Sequence, residues 1–269
     1  MSAMTPVPQH RLNGVSHESA PASLVDELIA LAHAAGTAAM RYYGGGVNVE
    51  SKNDGTPVTM ADKAAHALIV QGLAAIDPSI PVISEEGDVP LLTERRAWRR
   101  FWLVDPLDGT KEFIRQNGEF TVNIALIDAG EPVAGVVFAP AMNVTYYATK
   151  GGGAWKSALG APAERIYRRI RTTDQPLVIV ESRSHPSNAL EDFLATINVG
   201  DRVQIGSSLK FCLVAEGTAD VYPRLGPTME WDVAAGDCIY RNASLNGQNA
   251  SPLVYNSPDL RIAGFVVGL

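Results

Sequence analysis

Two aspartates three positions apart mark the stretch of this sequence that is best suited to chemistry. Asp105 and Asp108 directly follow an apolar run at residues 101–104, and a proline, a glycine and a threonine surround them. An apolar run that stops at proline and glycine is typical of a buried strand that ends in a tight turn. Carboxylates are rarely placed at the edge of a core unless they are paired or bind a cation. The pattern therefore indicates either a cation site or a turn in which aspartate bonds its own backbone.

Two further acids have a similar placement. Glu85 follows the apolar segment at residues 80–84, and Asp232 lies at the predicted start of a helix. Each has a plain structural alternative, since Glu85 suits a loop and Asp232 suits the dipole of its helix. Taken together, the four acids suggest a site with oxygen ligands, which favour Mg²⁺ or Mn²⁺ over zinc. Two such ions can activate water and neutralise a departing oxygen in phosphoryl transfer.

The elements that must position these acids are predicted from hydrophobic period and turn residues. Helices are expected to begin at Ser23, with Asp26 completing the cap, and near residues 59–62. In the first half, strands are expected at residues 80–84, 101–104, 120–128, 132–139 and 144–149. In the second half, strands alternate with helices. The strands are expected at 177–181, 202–205 and 219–225, and the helices at 187–196, 208–216 and 230–241. This pattern predicts an α+β N-terminal half and an α/β C-terminal half.

Three segments are expected along the chain. Residues 1–21 are polar and are predicted to be a disordered leader rather than a signal peptide. Residues 22–155 are predicted to form an α+β domain with most of the metal ligands. Residues 156–269 are predicted to form an α/β domain with the substrate-binding residues and Asp232.

Composition narrows the class of function. The chain has 269 residues and a formal net charge of -7, which argues against binding nucleic acid or anionic membranes through bulk charge. It contains no apolar run of about 18 residues that would predict a membrane span. Cys212 and Cys238 lie in apolar, helical-looking stretches and are expected to be buried free thiols, which suits a reducing cytoplasm. The charge-rich run at residues 93–100 is expected to be a solvated face.

Three ordered motifs resemble those of a known superfamily. They are Ser-Glu-Glu at residues 84–86, Asp-Pro-Leu-Asp-Gly-Thr at 105–110 and Trp-Asp-Val-Ala-Ala-Gly at 231–236. Together they resemble the Mg²⁺-dependent, lithium-sensitive phosphatases, which include inositol monophosphatase and fructose-1,6-bisphosphatase. The resemblance covers nearly the whole chain after residue 21. It implies a layered α-β-α-β-α, sugar-phosphatase-like fold and attack of a metal-activated water on a phosphate monoester.

Within this superfamily, three segments are most similar to the bacterial 3'(2'),5'-bisphosphate nucleotidases of the CysQ type. They are residues 52–59, the Lys-Glu-Phe at 111–113 and the Gly-Ser-Ser-Leu-Lys at 206–210. The resemblance implies hydrolysis of adenosine 3',5'-bisphosphate to AMP during sulfate assimilation, with 3'-phosphoadenosine 5'-phosphosulfate as a further substrate to consider. Two alternatives stay open: an inositol- or sugar-phosphate monoesterase of the same superfamily, and a non-catalytic metal- or phosphate-binding protein.

The resemblance also implies roles for single residues. Thr110 and Asp54 resemble the pair that orients or deprotonates the attacking water, although Asp54 also suits a turn, and Asp62 resembles a helix cap or supporting acid. Two or three Mg²⁺ ions are implied, with Mn²⁺ as a substitute. The implied metal ligands are Glu85, which is also counted as catalytic, Asp105, the carbonyl of Leu107, Asp108 and Asp232. The implied substrate-binding residues are Gly109, Thr110, His185, Ser207, Lys210, Arg224 and Asp232.

Two of these residues have structural alternatives: Lys210 suits a surface position on a helix, and His185 suits the start of a helix.

The implied partner is a small nucleotide, with no nucleic acid and no transmembrane segment. The expected location is the cytoplasm. Some CysQ-type proteins are assigned to the inner membrane face, but no basic amphipathic helix supports this here. Relatives occur as monomers and as dimers, so a homodimer stays open.

Overall fold

The computed structural model of this chain describes residues 23–44, 49–51, 57–158, 160–170, 174–184, 188–244 and 251–269. The predicted leader lies outside the described residues. The helices are α1 (Leu24–Met40), α2 (Met60–Ile76), α3 (Leu92–Arg95), α4 (Thr110–Arg115), α5 (Asn188–Leu194), α6 (Leu209–Ala215) and α7 (Glu230–Asn242). None of these helices is long and apolar enough to cross a membrane.

A seven-stranded sheet forms the centre of the molecule, and its strands are neighbours in the order in which they occur along the chain. The first two strands run parallel, and every later pair is antiparallel. Short connections join the strands from β5 onward, whereas the segment between β4 and β5 contains α4. The strands are β3 (Val82–Ser84), β4 (Arg100–Asp108), β5 (Thr121–Asp128), β6 (Glu131–Ala139), β7 (Val144–Thr149), β8 (Gly153–Ala158) and β9 (Glu164–Ile166). A small antiparallel pair, β1 (Val49–Ser51) and β2 (Pro57–Thr59), precedes α2.

Helices cover both faces of this sheet, which explains why its central strands are apolar at nearly every position. On one face, Trp102 and Ile124 pack in the same cluster as residues of α1 and α2. On the other face, Leu103 and Ala125 pack in a cluster with residues of α6 and α7. Alternate side chains of one strand therefore enter two different cores.

The second half adds two further layers. The parallel strands β10 (Leu177–Ser182) and β11 (Val199–Ile205) follow one another with α5 between them. Val180 of β10 belongs to the cluster of α6 and α7, whereas Ile179 packs with residues of α5. The succession of helices, sheet, helices, small sheet and helix confirms the predicted layered mixed α/β fold. The remaining strands are β12 (Tyr222–Arg224), β13 (Thr228–Met229), β14 (Arg261–Ile262) and β15 (Phe265–Val267).

The sheet extends further along the chain than the sequence pattern indicates. The glycine-rich turn at residues 151–153 leads into β8 and β9, neither of which was predicted. Gly151 and Gly153 both have positive φ, so they form the tight turn of another hairpin instead of ending the sheet. The predicted division between residues 155 and 156 falls inside β8, and the sheet ends only at Ile166.

A close contact fixes α7 against the sheet. A Cβ atom on Gly135 of β6 would lie 2.7 Å from the Cβ of Cys238 and 2.8 Å from the carbonyl oxygen of Ala235. Only glycine leaves room for the helix at this distance. Because α7 carries Asp232 in its first turn, the contact also sets the position of that carboxylate relative to the sheet. Cys238 and Cys212 are both buried free thiols, as predicted.

The expectation of a fully solvated face at residues 93–100 is wrong at one position. Arg95 is buried, and its guanidinium donates hydrogen bonds to Asn256 and to the carbonyl oxygens of Pro90, Ser257 and Pro258. The local run of charges gives no sign of these partners, because three of them lie near the other end of the chain. This arginine thus ties the loop at α3 to the segment after α7.

Candidate active site

Two acids leave the central sheet side by side. β3 and β4 are parallel, with Ser84 paired to Val104, so the residues that follow them lie at the same edge. The backbone N–H of Glu85 donates to the carbonyl of Val104 at 3.1 Å, which continues the pairing by one residue. Glu85 and Asp105 are therefore brought together by strand register alone.

The end of β4 contains an irregularity that places the second aspartate. The pairing with β5 changes register between Asp105 and Asp108, around Pro106, which has no N–H for the ladder. One oxygen of Asp105 accepts a hydrogen bond of 3.0 Å from the N–H of Leu107. The strand thus continues to Asp108 through a bulge rather than stopping at Val104. The self-bonded turn and the acidic site exist together here.

Three carboxylates converge at this edge. Glu85, Asp105 and Asp232 each offer an oxygen, and these oxygens lie within 4.8 Å of one another. A small movement would allow these oxygens to share one cation, because ligands at about 2.0–2.1 Å from Mg²⁺ lie at most about 4.2 Å apart. Asp108 lies beside them in the same cleft, where it accepts hydrogen bonds from Ser208 at 2.8 Å and Asn123 at 3.3 Å. A set of carboxylates without histidine or cysteine fits a hard divalent cation.

Burial and mutual repulsion disturb the titration of these acids. Burial raises the pKa of Asp105 well above its ordinary value, and the negative charges of Glu85, Asp108 and Asp232 raise it further. Burial, and then the charge of Asp108, raises the pKa of Asp232 to about 7. Burial also lowers the pKa of Lys210 to about 8, against the opposing effect of Asp108. The cluster carries more negative charge than its protein neighbours offset, as expected of a site built for cations.

A hydroxyl–carboxylate pair lies at the rim of the cluster. The hydroxyl of Thr110 donates to one oxygen of Asp62 at 3.3 Å, while the other oxygen accepts from the N–H and hydroxyl of Thr59. Asp62 therefore caps α2, as expected, and also contacts Thr110, which was not foreseen. The predicted partner of Thr110, Asp54, lies outside the described residues.

The predicted substrate-binding residues mostly line one cleft. Lys210 is buried there rather than on the surface, and its ammonium donates to the carbonyl of Ser207 at 2.5 Å. Arg224 donates to the carbonyl of Pro227, and its buried Nε has no hydrogen-bond partner among the described residues. His185 lies outside the described residues. The residues of the cleft named by the sequence analysis are Glu85, Asp105, Leu107, Asp108, Gly109, Thr110, Ser207, Lys210, Arg224 and Asp232.

The cleft also contains residues that the sequence analysis did not assign to the site. Glu112 and Tyr222 both line it and are both buried. The ammonium of Lys210 lies 5.5 Å from the ring centroid of Tyr222, which places the ring over that cation. Tyr222 lies two residues before Arg224, which was predicted to bind substrate, and this closeness in the sequence was the signal that could have identified it.

Comparison with known proteins agrees with this geometry. The model of the inositol monophosphatase family matches residues 21–258. The 3'(2'),5'-bisphosphate nucleotidase CysQ of Escherichia coli K12 is 50% identical over 236 residues, which cover 86% of this chain and 94% of that protein. The Salmonella typhimurium protein of the same name is 51% identical over 218 residues, 80% of this chain and 86% of that one.

Solved structures with a similar fold belong to the same family. CysQ from Bacteroides thetaiotaomicron, described as a bacterial member of the inositol monophosphatase family, has 40% sequence identity and a TM-score of 0.75. It matches 90% of this chain and 95% of its own. A Thermotoga maritima IMPase has 27% identity and a TM-score of 0.72, with 90% of each chain covered. The fold, the acidic cleft and these matches together show that the chain belongs to the inositol monophosphatase family.

Proposed function

We propose that this chain is a 3'(2'),5'-bisphosphate nucleotidase that removes the 3'-phosphate of adenosine 3',5'-bisphosphate, yielding AMP and phosphate. The observation that carries the proposal is one cleft in which the acids Glu85, Asp105 and Asp232 face the cations Lys210 and Arg224. A cation bound to the acids can bind one phosphate of the substrate, and the two basic side chains can bind the second. The name of the bacterial relatives at about 50% identity supports the same reading. 3'-Phosphoadenosine 5'-phosphosulfate fits the same description as a further substrate.

The acidic residues are suited to hold the metal that this family requires. We assign Mg²⁺ to the site, as two or three ions that Mn²⁺ can replace. The proposed ligands are Glu85, Asp105, the carbonyl of Leu107, Asp108 and Asp232. Such ions lower the pKa of bound water and neutralise charge on a departing oxygen.

The chain's own groups orient the reactants. The hydroxyl of Thr110 donates to Asp62, so its lone pairs are free to accept a hydrogen bond from the attacking water. We assign Asp62 to this pair from its contact, and Asp54 stays an assignment from the resemblance. The backbone N–H groups of Gly109 and Thr110 are proposed to hold phosphate oxygens.

The remaining assignments concern the nucleotide. Lys210 and Arg224 are proposed to bind the second phosphate, and Lys210 is mostly protonated at neutral pH because its pKa is about 8. Ser207 and His185 are proposed to complete the nucleotide site. The expected working location is the cytoplasm, as the two buried free thiols suggest.

The proposal is tested by measuring phosphate release from a panel of substrates with Mg²⁺ and with a chelator. Adenosine 3',5'-bisphosphate should give the highest kcat/KM, and the chelator should abolish turnover. A much higher kcat/KM for inositol 1-phosphate would assign the chain to the inositol phosphatases instead. Absence of turnover on every substrate, with Mg²⁺ binding intact, would favour the non-catalytic alternative.

A further inference from the structure

A buried acid faces the cleft without belonging to the metal cluster. Glu112 lies in the first turn of α4 and is only 4% exposed. Its side chain lines the same cleft as Lys210. A carboxylate beside the binding site of a polyanion repels the substrate, so its presence there indicates that the side chain has another purpose.

The contacts of Glu112 indicate that purpose. Its carboxylate accepts a short hydrogen bond from the hydroxyl of Ser184, which lies just beyond the end of β10. The same hydroxyl accepts a hydrogen bond of 3.0 Å from Arg115, at the other end of α4. Donor and acceptor roles are thus fixed along the chain of three groups. The helix that follows the metal-binding loop therefore holds the end of β10.

Two glycines bring further backbone against Glu112. A Cβ atom on Gly206, just after β11, would lie 2.7 Å from the Cγ of Glu112. A Cβ atom on Gly109 would lie 3.4 Å from one of the carboxylate oxygens of Glu112. Three segments consequently meet on one side chain: the metal-binding loop, the end of β10 and the end of β11.

A second acid from the same stretch supports this arrangement. Glu119 accepts a hydrogen bond of 2.9 Å from the N–H of Gly206. It also forms two hydrogen bonds of 2.7 Å with the guanidinium of Arg183, the residue before Ser184. The ends of both strands of the small sheet are therefore attached to the segment that follows the metal-binding loop.

We propose that Glu112 is a positioning residue that fixes the separation between the metal-binding loop at residues 105–110 and the segment at residues 206–210. The first segment serves the phosphate that is cleaved, and the second carries Lys210, which is proposed to bind the other phosphate, and Ser207 of the nucleotide site. Glu112 thereby determines the preference for substrates with two phosphates over substrates with one. This inference rests on the proposed function.

The test compares Glu112→Ala, Glu112→Gln and Ser184→Ala with the wild type on adenosine 3',5'-bisphosphate and on 3'-AMP, which lacks the second phosphate. In Glu112→Ala, the ratio of kcat/KM for the bisphosphate to kcat/KM for 3'-AMP should fall about tenfold, mainly through a higher KM for the bisphosphate. Glu112→Gln should stay within about threefold of the wild type, because its amide oxygen still accepts from Ser184. The increase in melting temperature on adding Mg²⁺ should be the same in all variants.

Two controls separate positioning from general damage. Glu131→Ala removes an exposed acid that pairs with Lys150 away from the cleft, and it should change neither parameter. The double variant of Glu112 and Ser184 should lose no more of the ratio than Glu112→Ala alone, because the two residues act through one hydrogen bond.

Three outcomes contradict the inference: an unchanged substrate ratio in Glu112→Ala, a loss in Glu112→Gln as large as in the alanine variant, and disappearance of the response to Mg²⁺. The wild type tests the proposed function separately. If it prefers inositol 1-phosphate to the bisphosphate, that function fails whatever the variants do. If it prefers the bisphosphate and the variants keep that preference, only the role of Glu112 fails.

Discussion

At the scale of single residues, Asp105 lies in surroundings that disfavour its negative charge. It is 1% exposed, it bonds the backbone of its own turn, and burial and three neighbouring acids raise its pKa. Its ionised form is therefore costly in the folded protein unless a cation is present. This cost explains why a residue that suits catalysis should reduce the stability of the metal-free protein.

Asp105→Asn should separate these two effects. Turnover should fall at least about 100-fold, because the amide is a poor replacement for an ionised metal ligand. Without Mg²⁺, the melting temperature should rise, because one of the repelling carboxylates is gone. Thermal unfolding in chelator and in Mg²⁺, together with an activity assay, checks both effects. Retained activity, or a lower melting temperature in chelator, would contradict this account.

The raised pKa of Asp232 predicts how the stability of the metal-free protein depends on pH. Its pKa is about 7 in the folded chain against an ordinary value of 3.8, so folding favours its protonated form. The stability that it contributes is complete below about pH 4 and is lost as the pH rises to about 7. Mg²⁺ competes with the proton, so its stabilising effect should grow over the same interval. Melting temperatures at several pH values, with Mg²⁺ or chelator, measure this growth. A Mg²⁺ effect that is constant with pH would disagree.

At the scale of elements, the start of α2 has two functions on one side chain. Asp62 completes the capping box with Thr59 through one oxygen and accepts from Thr110 of α4 through the other. The cap therefore orients the carboxylate that contacts the proposed catalytic hydroxyl. Helix stability and orientation of the attacking water depend on the same residue.

Variants of this pair should separate the two functions. Thr110→Val should lower kcat about 100-fold at nearly constant stability, whereas Thr110→Ser should keep most of the activity. Asp62→Ala should lower kcat similarly and also reduce the free energy of unfolding by about 1 kcal/mol, through loss of the cap. Steady-state kinetics and denaturant unfolding give both quantities. Equal kcat for the valine and serine variants would show that the hydroxyl is not used.

Sequence predicts elements here more reliably than the contacts between them. The caps of α1 and α2 follow from residues three apart, and the strand register then brings Glu85 to Asp105. The contact between Asp62 and Thr110 crosses two helices, so no spacing along the chain indicates which carboxylate faces the hydroxyl. Similarly, β9 has only three residues with two exposed, which is too little pattern to identify a strand.

At the scale of the whole molecule, Arg95 joins distant parts of the chain. Its guanidinium satisfies the carbonyl groups of the segment after α7, and the backbone N–H groups of Asn256 and Ser257 in that segment donate to buried Glu230 at the start of α7. Glu230 lies two residues before Asp232. The loop at α3 thus supports the helix end that completes the acidic cluster, although Arg95 itself does not line the cleft.

Arg95→Met should reduce the free energy of unfolding by roughly 3 kcal/mol or more, because the four hydrogen bonds of a buried guanidinium are lost together. Arg96→Met is the matched control: Arg96 is the neighbouring exposed arginine, and its loss should change stability by less than about 0.5 kcal/mol. Denaturant unfolding of both variants provides the comparison. Similar stabilities of the two variants would mean that the hydrogen bonds of Arg95 contribute little.

The acidic cluster joins residues that lie far apart along the chain. The pairing of β3 with β4 brings Glu85 to Asp105, whereas Asp232 reaches them only through the packing of α7 against the central sheet. Such long-range contacts form slowly. During refolding, Mg²⁺ should therefore bind only after most of the structure has formed. Mg²⁺ should then lower the rate constant of unfolding more than it raises the rate constant of folding. The bound ion would therefore stabilise the native state mainly by slowing its unfolding.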